Sequence, residues 1–458
     1  MNKELILQEI YRQNKHWQDP ETFFHELKSI SHSRDLLSEL KSFLPKRQIL
    51  SIVGLRRVGK TILLKQLIKQ LIKKVPAQNI LFLNFDEVLL SKTIKFENYL
   101  NIYLEEISGL NKKEKIYVFL DEIQYIDKWQ HIIKRYYDTD TRIKFVISGS
   151  SSLFLRKKTT ESLVGRIFEF YLSPLTFVEY LKITDNLPDN YLDILIQPGE
   201  KVAENKDRNN FFFKYKNKMT SLFENYVKFG QFPEIASESD TSFQKKYLSQ
   251  AIYNKSIEYD IPKIFKVEKQ EDLKFLFRVF INEATSLIEI KNIAREVELS
   301  QETIKKYLSY FESSFMVSVL YNFSKSFRRS KKTLKKIYLE SGNFCSAFYD
   351  YGNYELNCQY LGKLAENYFF NLLKSKFEYL AFYQVRQKEF DFVTSNDLLN
   401  KSEYKYFEVK YKNNIKTSDF KFLQNIASKE KFYFQVISKD TLVINKDYSI
   451  LPIWMVES

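Results

Sequence analysis

The stretch ILSIVGLRRVGKTILLKQLIKQLIKK, residues 49–74, decides the fold. It opens with a short run that is apolar except for Ser51, the pattern of a strand buried on both faces, and Gly54 ends it. From Thr61 onward leucines and isoleucines recur at helical spacing. Between strand and helix lies Gly54-Leu55-Arg56-Arg57-Val58-Gly59-Lys60-Thr61, which matches G-x-x-x-x-G-K-[ST] where that motif has mechanical meaning. Its glycines let the backbone wrap a triphosphate, so that N–H groups and the helix N-terminus face the negative charge. These eight residues and Ile62 are therefore read as nucleotide-binding. Lys60 is expected to neutralise the outer phosphates and the Thr61 hydroxyl to ligate Mg²⁺, which makes ATP and Mg²⁺ the expected cofactors.

Outward from the loop the pattern alternates. Strand-like NILFLNFDE (79–87), YVFLDEI (117–123), KFVISGS (144–150) and FEFYLSPL (168–175) are separated by helix-like stretches near 96–108 and 128–138. Strands alternating with helices of this kind predict an α/β fold with a parallel sheet and helices on both faces. Mg²⁺-assisted hydrolysis needs a carboxylate at the end of a neighbouring strand. Two stretches offer one, ending in Asp86-Glu87 and Asp121-Glu122. The first comes directly after the loop's own helix, where a sheet with an extra strand between loop strand and carboxylate strand puts its outer member, so the second is chosen. Asp121 would hold Mg²⁺ through water and Glu122 would polarise the attacking water. Ser148 and Ser150, in Ser148-Gly149-Ser150-Ser151, are candidates to sense the γ-phosphate or position water. Arg166, before the fifth strand, is a candidate arginine finger toward the phosphates of its own subunit or a neighbour's.

At 458 residues the chain exceeds one ordinary core, since single cores stop growing at roughly 250–300 residues, and two to four domains are expected. The composition is 44% apolar and 28% charged, which is globular. No apolar run reaches the roughly 20 residues of a membrane span. The opening MNKELILQEIYRQNKHW lacks the apolar core of a signal peptide, so a cytoplasmic location is expected. Cys345 and Cys358 match neither a zinc knuckle nor a redox pair and are read as buried, reduced thiols. All four histidines fall in the first third, which excludes histidine catalysis further along. The formal charge of +14 points only weakly to nucleic acid, because the Lys-rich lean is spread through the composition.

The domain reading is a helical segment over 1–45, an ATPase core over 46–182, and an insertion with a helical lid over 183–268. A winged-helix-like domain follows over 269–334 and a second α/β unit over 335–458. Residues 196–218 are charge-rich and poorly periodic, and read as a linker. Residues 286–317 carry helix, turn, helix periodicity with Ser300 as an N-cap. In the pattern of a winged helix, 301–311 would face DNA with Lys305 and Lys306, or the module would pack as a plain lid. Beyond the basic stretch 325–336, Glu366 lies on a predicted helix, Asp391 in a strand, and Glu408-Val409-Lys410 in the next. Strand alternation puts Glu408 and Lys410 on one face. Asp391 and Glu408 could then share Mg²⁺ while Lys410 holds or deprotonates water, the layout of metal-assisted phosphodiester cleavage. Glu366 would support from its helix, and Glu389 would share the Asp391 face. A solvated strand face explains the same residues.

GLRRVGKT, FLNFDE, FLDEIQ, ISGSSS, GR and LSPLTFVEYL, in that order, resemble the uncharacterised AAA-type ATPases of bacteria and archaea whose C-terminal domain has a restriction-endonuclease-like fold. The likeness continues through FGQFPE (229–234), KIYLESGN (336–343), LGKLAENYFFNLL (361–373), EFDFV (389–393) and FEVK (407–410). It implies a sheet in the order 5-1-4-3-2, a helical lid, a winged helix and a nuclease-like end. Two positions depart from the group: Glu340 stands where Asp is common, and the FGQFPE turn keeps one glycine. The expectation is an ATPase whose nucleotide state controls a PD-(D/E)xK nuclease-like domain acting on or binding DNA. The alternative is a nucleotide-dependent switch or scaffold with an inert partner-binding end. A homo-oligomer or a protein partner fits either.

Overall fold

The structure is a computed structural model of the chain. It describes all residues except 1, 31, 87–94, 109–113, 151–162, 324–334, 349–353, 386–387 and 458. Glu87, Ser151 and most of the basic stretch 325–336 thus lie outside the described residues. The chain forms two compact units: 1–173 with 313–315, and 174–312 with 316–458.

The first unit is built on five parallel strands, β1 (Ile49–Val53), β2 (Ile80–Asn84), β3 (Ile116–Asp121), β4 (Ile143–Gly149) and β5 (Ile167–Tyr171), in the order β2-β3-β4-β1-β5. Read from the other edge this is 5-1-4-3-2. β1 to β4 are buried along their full lengths, as a sheet covered on both faces requires. Lys144, inside β4, donates to the carbonyls of Phe43, Lys46 and Gln48, which ties down the chain as it enters β1. Burial pushes its ammonium down to about 7.

The edge strand β2 is sealed by side chains. Helix α1 (Asn2–Gln13) and the turn after it present amides and rings to alternate residues of β2. The Gln13 carbonyl accepts from Asn84 N at 2.7 Å, and Asn14 both accepts from Phe82 N at 2.7 Å and donates to Phe82 O at 2.9 Å. Trp17 Nε1 donates to Ile80 O at 2.9 Å, and His16 Nε2 lies 3.1 Å from the same oxygen. These groups take the place of a sixth strand and leave the edge no open ladder.

His16 makes that seal pH-sensitive. Burial lowers its pKa from 6.5 to about 4, so between those values the unfolded chain holds a proton that the folded one refuses. Stability is full above the ordinary histidine value and falls as pH drops, by about 3 kcal/mol in all. Urea denaturation at about pH 7 and about pH 4.5 should show this loss in the parent and not in His16→Gln, which keeps a donor and has no proton to gain.

In the second unit, helix α3 (Lys206–Phe229) replaces much of the expected linker at 196–218, following α2 (Lys60–Leu71) of the first unit in chain order. Asn205 caps it, accepting from Arg208 N at 3.0 Å. Phe212, Met219, Phe223 and Tyr226 form its buried stripe. The charged residues between these aromatics mask the helical period in the sequence. Helices Ile290–Glu296 and Gln301–Ser313 stand where helix, turn, helix was expected, with Ser300 Oγ accepting from Thr303 N at 3.0 Å. An antiparallel sheet, β6 (Leu287–Ile288), β8 (Lys335–Leu339) and β7 (Val317–Tyr321), accompanies them.

The remaining α/β portion is a six-stranded mixed sheet in the order β13-β14-β12-β11-β10-β9. Its strands are β9 (Tyr379–Val385), β10 (Lys388–Ser395), β11 (Lys405–Lys410), β12 (Phe434–Ser438), β13 (Val443–Ile444) and β14 (Tyr448–Pro452). Helix α4 (Tyr354–Lys376) packs on β8, β9 and β11, and helix Lys421–Glu430 covers β10. A distant stretch closes this unit: Ile196 bridges to Val456, and Tyr191 Oη donates to Trp454 O.

Candidate functional site

The loop after β1 turns back through three positive-φ positions, Gly54 at 156°, Arg57 at 67° and Gly59 at 97°, and delivers Lys60 to the first turn of α2. Lys60 is 4% exposed, and its Nζ donates to Gly54 O at 3.2 Å and Leu55 O at 2.9 Å. The ammonium is thereby held inside the concavity of its own loop. Thr61 Oγ1 donates to Asp121 Oδ2 at 2.6 Å, tying the start of α2 to the end of β3. Ser148, at the end of β4, donates to the other Asp121 oxygen and accepts from Glu122 N at 3.2 Å. Burial, then the neighbouring Glu122 carboxylate, push Asp121 up to about 6 against the Ser148 and Thr61 hydrogen bonds and the Lys60 charge. A divalent cation would offset that burial cost, and hydroxyl with carboxylate is a hard-oxygen donor set suited to Mg²⁺.

Glu122 adopts φ 53°, a left-handed turn that swings its carboxylate out of the strand and to 3.8 Å from Lys60 Nζ. Gln124 Nε2 donates to Glu122 and, at 3.0 Å, to Ser150 Oγ. Arg56 pairs with Asp86 at 3.3 Å, so the carboxylate passed over just beyond β2 faces the loop as a salt-bridge partner.

Gly54, Leu55, Arg56, Arg57, Val58, Gly59, Lys60, Thr61, Ile62, Asp121, Glu122, Ser148 and Ser150 thus gather at one end of the sheet. Ser148 supports Asp121 and Ser150 supports Gln124. Arg166 does not join them. It precedes β5, whose first residue pairs with Ile49 at the start of β1, and therefore lies at the end of the sheet opposite the loop. There it pairs with Asp138 at 2.9 Å. A strand's length of about 3.3 Å per residue separates it from the phosphate end, which removes the expected role within its own subunit. Arg34 is a supporting residue missing from the sequence reading. Buried, it donates to Val58 O at 2.6 Å and Ser173 O at 2.7 Å and so clamps the loop from behind. An arginine in a polar helical segment gives no signal of this.

The second expected set also comes together, with one addition. Asp391 Oδ2 accepts from Val409 N at 2.8 Å, Asp391 N lies 3.3 Å from Glu408 Oε2, and Lys410 Nζ is 2.6 Å from Glu408 Oε1. Tyr338 Oη donates to Glu366 at 2.8 Å. Lys336 is the addition, 2.9 Å from Glu389, 3.5 Å from Glu366 and 3.8 Å from Asp391. Burial and then Asp391 push Glu366 up to about 7; burial and then Asp391 push Glu408 up to about 8. Burial works to lower the Lys336 ammonium, and the carboxylates around it win, raising it above the ordinary lysine value. Among the described residues no group of three acidic, cysteine or histidine side chains is arranged around an open metal position, and the point where Glu366, Glu389 and Asp391 approach one another is taken by the Lys336 ammonium.

Residues 46–181 match the family model described as AAA domain, and 220–348 match a domain of unknown function, DUF8612. The chain therefore carries an AAA-type P-loop ATPase domain. An uncharacterized protein of Methanocaldococcus jannaschii, MJ1544, is 31% identical over 65% of this chain and 62% of its own length. A second from that organism, MJ1637, is 28% identical over 63% and 60%, and an uncharacterized protein of Haemophilus influenzae is 26% identical over 63% and 66%. The chain thus spans just under two thirds of these relatives. A solved Walker-type ATPase of Pyrococcus abyssi aligns at 14% identity and TM-score 0.36 over 69% of this chain and 95% of that one. No helix among the described residues is long and apolar enough to cross a membrane.

Proposed function

We propose that the AAA-type domain binds ATP with Mg²⁺ and hydrolyses it, and that nucleotide state governs how the C-terminal α/β portion meets its partner. The Thr61 to Asp121 hydrogen bond, with Glu122 beside Lys60, carries this reading. The loop amides and Lys60 would bind the phosphates, and Thr61 with Asp121 would hold Mg²⁺, which when bound neutralises phosphate charge. Glu122 would accept the proton of the attacking water. Arg166 is kept as a finger toward a neighbouring subunit.

Residues 335–458 are read as a PD-(D/E)xK nuclease-like domain and 269–334 as a winged helix, with β8 pairing in the three-stranded sheet of the latter. Lys305 is exposed on the helix that would face DNA, while Lys306 pairs with Glu268 at 3.0 Å. The partner in this reading is DNA, which is bound or acted on. The second reading, an inert domain that recruits a partner, is favoured by the additional ammonium of Lys336 seated among the carboxylates.

Steady-state ATP turnover with and without DNA tests the pair: stimulation by DNA supports the first reading, and turnover indifferent to DNA supports the second. Lys60→Ala is expected to weaken ATP binding by about 3 kcal/mol, roughly a hundredfold, by calorimetry. Unchanged affinity in that variant would sink the ATP proposal altogether.

A further inference from the structure

Strand β8 reads Lys335-Lys336-Ile337-Tyr338-Leu339. Alternation along a strand sets Lys336 and Tyr338 on the same face, and both reach Glu366 of α4. Ile337 and Leu339 occupy the opposite face and are fully buried. Asn367, next to Glu366, fixes the register by accepting from Leu339 N at 2.7 Å and donating to Leu339 O at 2.8 Å. The Lys336 side chain therefore has its direction set by the strand and its depth set by the helix. It is 3% exposed, and its ammonium meets one carboxylate from α4 and two from β10.

Four carboxylates (Glu366, Glu389, Asp391 and Glu408) and two ammonium groups (Lys336 and Lys410) make up this cluster, a formal balance of −2 with all six ionised. Lys410 is engaged by Glu408 on the same strand face. Lys336 lies within 3.8 Å of the other three, and the charges of Asp391 and Glu366 act on Lys410 as well. Buried carboxylates at such separations need a cation or a proton among them, because like charges taken out of water repel strongly and lose their hydration. A divalent ion is one way to supply it. A lysine inserted from the neighbouring sheet is another, and the two compete for the same oxygens.

We propose that Lys336 is the resident cation of this cluster, standing where a divalent metal would otherwise sit, so that the C-terminal sheet keeps a nuclease-like carboxylate layout while excluding the metal. The consequence is a domain that leaves phosphodiester bonds intact. The inference rests on the nuclease-like reading of residues 335–458 and is independent of the ATP reading, so failure of ATP binding leaves it standing.

The test uses the full chain, free of nucleotide, with Mn²⁺ as probe and its free-ion paramagnetic resonance signal as readout. The parent protein is expected to take up no Mn²⁺ in a manner that depends on Asp391. Lys336→Met is expected to gain one Mn²⁺ per chain, the gain to vanish in Lys336→Met combined with Asp391→Asn, and its melting temperature to rise with Mn²⁺ while the parent's does not. Mn²⁺ uptake by the parent that Asp391→Asn removes would overturn the proposal. So would a folded Lys336→Met protein, judged by circular dichroism, that gains no site. Should Lys336→Met fail to fold, Lys336→Arg decides together with the parent: a folded arginine variant without Mn²⁺ uptake that depends on Asp391 supports a resident cation, and uptake by either that Asp391→Asn removes overturns it.

Discussion

Replacing Glu122 with glutamine is expected to lower ATP turnover by roughly 10²–10⁴-fold while leaving ATP affinity close to that of the parent. The side chain keeps its size and its acceptor, so the Gln124 hydrogen bond survives, as does the left-handed turn at φ 53° that aims it at Lys60. What disappears is a carboxylate able to take a proton. Single-turnover hydrolysis and equilibrium binding of ATP, measured on the same preparation, separate these effects. A parallel loss of affinity would mean that Glu122 holds the loop together, and retention of turnover would place the base elsewhere.

The second large effect is steric. A methyl group at Gly54 would lie 2.2 Å from Leu172 O and 3.2 Å from Leu172 C. Neither atom can give way cheaply, because Leu172 N donates to Val53 O at 2.8 Å and continues the pairing of β5 with β1. Gly54→Ala should therefore cost about 3 kcal/mol or more of stability and distort the nucleotide loop. Gly165, with nothing within 4 Å of an added methyl, is the control. Its left-handed φ of 73° makes Gly165→Ala cost only about 1 kcal/mol. Thermal melting and ADP binding of the two variants should differ sharply, and equal behaviour would refute the packing argument.

The nucleotide end of the sheet was legible because its residues are constrained twice. Gly54 to Thr61 must satisfy both a backbone turn and a phosphate, and Asp121 must end a buried strand that neighbours the loop strand. Such double demands leave a pattern in the sequence. The α1 seal leaves none: Gln13, Asn14 and His16 look like ordinary solvent-facing residues, and only the docked edge strand shows that their polar atoms replace a ladder. As a finger within its own subunit Arg166 misled, because closeness to a strand in sequence does not say which end of the sheet is meant. Helix α3 was hidden by charged residues on its exposed face. The carboxylates from Glu366 to Lys410 were legible as a set, but their counter-ion was not. Lys336 stands thirty residues before Glu366 in a segment noted for its resemblance rather than its chemistry, and only the approach of one sheet to another discloses what it does. The longer side chain at Glu340 has a similar explanation, since it accepts from Ser318 Oγ at 2.7 Å and also pairs with Lys374.

The bridge from Ile196 to Val456, with Tyr191 bonded to Trp454, has a bearing on biosynthesis. All but three residues of the first unit lie within 1–173, so nearly every contact of the ATPase sheet is available early in translation. The stretch around Tyr191 must wait some 260 residues for its partner. Meanwhile the aromatic stripe of the long helix beside it, Phe212 included, has no cover from Trp454. A nascent chain halted in that interval would display a finished nucleotide module followed by a sticky, half-built tail, the kind of species that recruits chaperones or aggregates.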